Sequence, residues 1–130
     1  MTDSPQRALA EATEWLLSAE RSLADAEENH QLANVSCSQS VYAIIRANDA
    51  LCLEFLGHKC TRHEDAPYLF NEMVRKKKVA EGHAPFAEVL LTALSMKSGA
   101  DYGKDAFTVK EAEKLFKRAR DFVEMAHNSL

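Results

Sequence analysis

The sequence predicts an all-α protein, an antiparallel up-and-down bundle of four main helices plus one short helix. Three observations lead there. Apolar residues recur at three- and four-residue spacing through most of the chain. Only four glycines and three prolines interrupt it. Alanines are many and β-branched residues scarce, which disfavours a large sheet.

The first helix is predicted from about Pro5 to Asn29. Asp3 or Ser4 can cap it, and Pro5 suits a first turn, where its missing N–H costs nothing. Leu9, Ala12, Leu16, Ala19, Leu23 and Ala26 form its apolar stripe. "NHQLANVS" is a short joint. The second helix runs from about Leu32 to Leu56 and stops at Gly57.

Thr61 and Glu64 have capping-box spacing, so a third helix is expected over about Glu64–Val79 with Pro67 near its start. Gly82 and Pro85 break the chain. The fourth and shortest helix is placed at about Phe86–Met96. "KSGADYGKD" has little pattern and reads as a turn with two glycines. Thr108 and Glu111 form a second capping-box signature. The last helix, Thr108–Ser129, buries Ala112, Leu115, Phe116, Ala119, Phe122, Val123 and Ala126.

At 130 residues the chain is read as one domain, 1–130, able to bury a core without metal or disulfides. Cys37, Cys52 and Cys60 are odd in number, without CxxC spacing, and suggest no disulfide framework. No apolar run reaches membrane-spanning length, and the N-terminus lacks the pattern of a signal peptide. A reducing cytoplasm is the expected location. A formal charge of −4 argues against nonspecific nucleic-acid binding by the whole surface. The basic run Arg75–Lys78 reads as a solvated loop end.

"SVYAIIRANDALCLEF", Ser40–Phe55, poses the functional question. On a helical wheel Cys37, Val41, Ile44, Leu51, Cys52 and Phe55 make a broad apolar face with Asn48 in its middle. Asn48 is expected to hydrogen-bond a helix across the core. Ala43, Ala47 and Ala50 make a smooth second face. Ser38, Tyr42, Arg46, Asp49 and Leu53 make a mixed third. Arg46 cannot be buried unpaired, and Asp49, three residues on, can neutralise it. The mixed face is either an ion pair that specifies packing or a polar groove at a dimer seam.

Established catalytic and metal motifs are lacking. Neither a Gly-rich phosphate loop nor HExxH occurs. His58, Cys60 and His63 are metal-capable but lack an evident fourth ligand. No cofactor or metal is expected.

The chain resembles the HEPN superfamily of small helical domains, often encoded beside minimal nucleotidyltransferases. The likeness rests on the Ala/Leu/Glu-rich first helix, on "SVYAIIRANDALCLEFLG" and on "RHEDAPYLFNEM". The stretch from "LTALSMKSGADYGKD" into the last helix carries it furthest. The resemblance implies a homodimer, a possible nucleotidyltransferase partner, and nucleotide or RNA as ligand. Ribonuclease members carry an arginine, a polar residue after it, and a histidine four to six residues further on. Here Lys97 holds the place of the basic residue before "ADY", and no histidine follows until His127. The trio is therefore expected to be absent from the chain, which implies a noncatalytic interaction or nucleotide/nucleic-acid-binding module. A ligand phosphate is then expected beside Tyr42, Arg46 and Asp49, with Lys97, Asp101 and Tyr102 nearby. The rival is a toxin-like, metal-independent ribonuclease acting as a dimer, with Arg46 or Arg75 and His63 or His83 across the seam.

Overall fold

The computed structural model describes residues 3–102 and 107–130, with side chains for 3–97 and 107–130. Five helices follow in order: α1 (Pro5–Ala24), α2 (Gln31–Phe55), α3 (Ala66–Arg75), α4 (Phe86–Tyr102) and α5 (Val109–Ser129). One-turn 3-10 helices stand at His63–Asp65 and Glu81–His83. Among the described residues there is no strand.

The starts of the first and last helices follow their capping chemistry. Ser4 Oγ accepts the Arg7 N–H at 3.1 Å, with Pro5 in the first turn. Thr108 and Glu111 close a full capping box, with bonds of 3.1 and 3.0 Å.

Three boundaries differ from expectation. α1 stops at Ala24, not Asn29. Around the buried Ala26, the segment that follows carries Asp25, Glu27, Glu28 and Asn29, poor helix formers or anions at the negative end of a helix dipole. α3 is much shorter than Glu64–Val79. A helix beginning at Glu64 would need the N–H of Pro67 for its first bond, and Pro67 has none. Thr61 makes no cap; the chain instead tightens into the 3-10 turn before α3. The Pro85-flanked α4 runs on through Tyr102, past the expected end at Met96. Gly99 alone costs it only about 1 kcal/mol, and no proline stops it. The Lys97–Tyr102 part of "KSGADYGKD" is therefore helix and not turn, and α3 is the short member of the bundle.

The C-terminus of α3 has a Schellman closure. Lys78 N–H reaches Met73 O at 2.9 Å, and Lys77 N–H reaches Val74 O at 2.9 Å. That geometry puts Lys77 in the left-handed region, at φ 60°. The end of α2 gives the same region to a glycine, Gly57, at φ 82°.

α2 is the centre, packed on α1, α4, α5 and α3. It runs antiparallel to α1: Ser36 Oγ donates to Ala19 O at 2.9 Å, and further along α2 Arg46 meets Glu11 near the start of α1. α4 runs antiparallel to α5, with Phe86 against Phe122 at one end and Met96 beside Lys114 towards the other. The α1–α2 seam is smooth. Ala43, Ala47 and Ala50 of α2 and Ala8, Ala12 and Ala19 of α1 are all fully buried. Small side chains on both sides let the two backbones approach closely. The opposite face of α2 buries Cys37, Val41, Ile44, Leu51 and Cys52, with Phe55 partly covered. Below it Phe122 contacts both Phe70 and Phe86, each at 5.9 Å between ring centres.

Lys77→Gly relieves the left-handed strain at an exposed site without removing a contact. It should raise stability by about 0.5–1 kcal/mol in urea denaturation.

Candidate functional site

The mixed face of α2 is covered by the N-terminal segment and α1. Arg46 uses its whole guanidinium there. Nη1 donates to Asp49 Oδ2 at 2.8 Å, Nε to Glu11 Oε2 at 2.9 Å, and Nη2 to Asp3 Oδ2 at 3.1 Å. Its side chain keeps 15% of its exposure, and that of Asp49 13%. Two outer cations complete the network: Lys59 Nζ lies 3.5 Å from Asp3, and Arg7 Nε 3.4 Å from Glu11. Three carboxylates thus face three bases. The Arg46–Asp49 pair within one helix is present as the sequence suggests, and two further acids join it from outside α2.

The electrostatics follow burial and pairing. Burial pushes the Asp49 carboxyl above its ordinary value, although Arg46 pulls the other way. Burial also acts upward on Asp3, but there the hydrogen bond and charge of Arg46 prevail and the carboxyl falls below its ordinary value. Arg46 opposes its own desolvation through Asp49 and Asp3 and stays charged. A guanidinium held by three carboxylates has little positive potential left for a phosphate.

Next to this network, Tyr42 lies against Trp15, ring centres 5.0 Å apart. Lys97 Nζ sits 5.6 Å from the centre of the Tyr42 ring, a cation–π distance. The structure therefore brings Tyr42, Arg46 and Asp49 onto one side of α2 and sets Lys97 beside Tyr42. The side chains of Asp101 and Tyr102 lie outside the described residues.

Asn48 departs from expectation. Its Nδ2 reaches only Cys52 Sγ, 3.8 Å away on the same helix, and its Oδ1 has no partner among the described residues. Burial pushes the Cys37 and Cys52 thiols up to about 12, which makes them packing groups and not nucleophiles. Cys60 donates to Arg62 O at 2.6 Å. No cluster of three or more metal-ligating side chains occurs among the described residues.

The residues of the rival reading are dispersed. Arg75 is fixed to Glu72 at 2.6 Å. His83 lies edge-on to Phe86. His63 is exposed at the start of the 3-10 turn.

A different pair went unread in the sequence. Arg120, followed by the polar Asp121, precedes His127 with six residues between arginine and histidine. The expectation that no arginine is followed by a histidine at the family's gap is thus corrected: that order is present in the last helix. Its signal was the i, i+7 spacing, two turns along one helix face, about 10 Å of rise. Both side chains are exposed; Arg120 lies 3.7 Å from Asp121, and His127 Nε2 3.4 Å from Thr13 Oγ1.

A family model described as the HEPN domain matches residues 11–129. The chain belongs to the HEPN family. A search of curated proteins gave no match. Every helix described above lies within the HEPN match except the first residues of α1. Among the described residues, no helix of this HEPN domain is long and apolar enough to cross a membrane.

Because the Asp3 carboxyl is held below its ordinary value, its contribution to stability is present above that ordinary value. The contribution is lost as pH falls through the lowered one. Asp3→Asn should therefore lower Tm at pH 7, and the difference from the native protein should shrink below about pH 4. Thermal melts across that range check the sign.

Proposed function

We propose that this HEPN domain is a noncatalytic binding module that works as a homodimer, with a nucleotidyltransferase as partner and nucleotide or RNA as ligand. The observation that carries the reading is the closure of Arg46. The one arginine on the mixed face of the central helix is bonded to Asp3, Glu11 and Asp49, and no histidine shares its hydrogen bonds. Phosphate-cleavage chemistry without metal needs a cation open to the phosphate and a group to move protons. At this place the cation serves the fold. Tyr42 and Lys97 supply the contact surface of the proposed site, an aromatic face and a positive charge.

A second reading is favoured by one arrangement, the exposed Arg120 and His127 on one side of α5. Paired across a dimer, they would give a metal-independent ribonuclease. Incubating the protein with single-stranded and structured RNA in EDTA separates the two. The module reading expects intact RNA. Cleavage that disappears in both Arg120→Ala and His127→Ala would install the second reading in its place. Sedimentation at micromolar concentration should show twice the 14.5 kDa chain mass; a 14.5 kDa species alone would remove the homodimer.

A further inference from the structure

The geometry points to a binding site for a small organic anion in the groove between α4 and α5, built around Lys114 and Arg118. The groove encloses about 250 Å³ and is lined by Thr92 and Met96 of α4 and by Glu111, Lys114, Leu115 and Arg118 of α5. It exists because α4 packs chiefly on α2 and α3 and touches α5 only lightly.

The arginines of the chain mostly have partners. Arg7, Arg46, Arg62, Arg75 and Arg120 each lie within ion-pair distance of a carboxylate, and Arg21 bonds Ser18. Arg118 has no such partner among the described residues, and neither has Lys114. Two unneutralised cations, four positions apart on one helix, therefore project beside the same depression. In a chain of net charge −4 this local surplus is not the drift of the overall composition.

The remaining lining selects the shape of the ligand. Leu115, only 2% exposed, forms the floor, and Met96, half-buried, forms the facing wall. Methionine adapts to flat or irregular apolar bodies. The antiparallel course of α4 sets Thr92 across from the Arg118 end and Met96 nearer Glu111. Glu111 turns its Oε1 back to the Thr108 N–H at 3.0 Å, yet its charge still repels an anion at that end. The anionic head therefore belongs at Lys114 and Arg118, where the guanidinium offers a planar fork of donors. The body lies on Met96 and Leu115. The ligand class is a phosphate monoester or carboxylate carried on a compact apolar or aromatic body. This site is separate from the Tyr42–Lys97 surface and does not depend on dimerisation or on RNA.

Calorimetric titration with phenyl phosphate, octanoate and inorganic phosphate tests it on the whole chain. At least one organic probe should bind with a Kd of about 1 mM or tighter, and the better of the two names the head group. Arg118→Ala and Lys114→Ala should each weaken that binding about tenfold, the loss of one charge-assisted contact. Both residues are exposed, so circular dichroism should show an unchanged fold. Met96→Ser should weaken the organic probe while leaving inorganic phosphate unaffected. Absence of binding by both organic probes at about 10 mM, ten times that Kd, would overturn the assignment. So would organic binding that stays within twofold in Arg118→Ala, or inorganic phosphate binding as tightly as the organic probes. Failure here leaves the RNA and sedimentation results untouched, and failure there leaves these titrations untouched.

Discussion

A guanidinium on the central helix of a bundle must bring its own counter-charges or stay in water. Arg46 brings three. Asp49 comes from its own helix, Glu11 from α1 and Asp3 from the segment before α1. Removing any charged group from water is costly, and a half-satisfied pair is worse than none. The bonds from Arg46 to α1 therefore act on geometry: they hold α1 at one height along α2. The alanine seam permits several heights, because small side chains slide past one another. The ionic network selects one of them, and with it the stacking of Trp15 on Tyr42.

The same network has an electrostatic consequence. It engages all three nitrogens of the Arg46 guanidinium with carboxylates, whereas α5 carries cations with no carboxylate partner among the described residues. Among them are Lys114 and Arg118, both exposed.

Much of this was legible in the sequence because helical periodicity and capping are local. The buried stripe of α5 and its Thr108–Glu111 box follow from spacing alone, as does the end of α2 at Gly57. The Arg46–Asp49 pair is also local, three residues apart. Glu11 and Asp3 are not, and nothing in a single sequence says which distant acid meets an arginine. The boundaries of α1, α3 and α4 turned on finer competition. The acids after Ala24 end one helix early, and the missing N–H of Pro67 delays another. The weak pattern of "KSGADY" concealed a helix whose Gly99 is tolerable. The Arg120–His127 order stands plainly in the sequence, against the expectation that no such gap occurs. The groove beside Lys114 was not visible at all, because it depends on how closely α4 approaches α5.

The central claim is that Arg46 is a structural clamp. A double-mutant cycle on Arg46→Ala and Asp49→Ala, followed by urea denaturation, tests it most directly. The account predicts that each single change destabilises the protein and that the two effects are not additive, with a coupling of about 1–3 kcal/mol. Single variants within about 0.5 kcal/mol of the native protein, with additive effects, would contradict it.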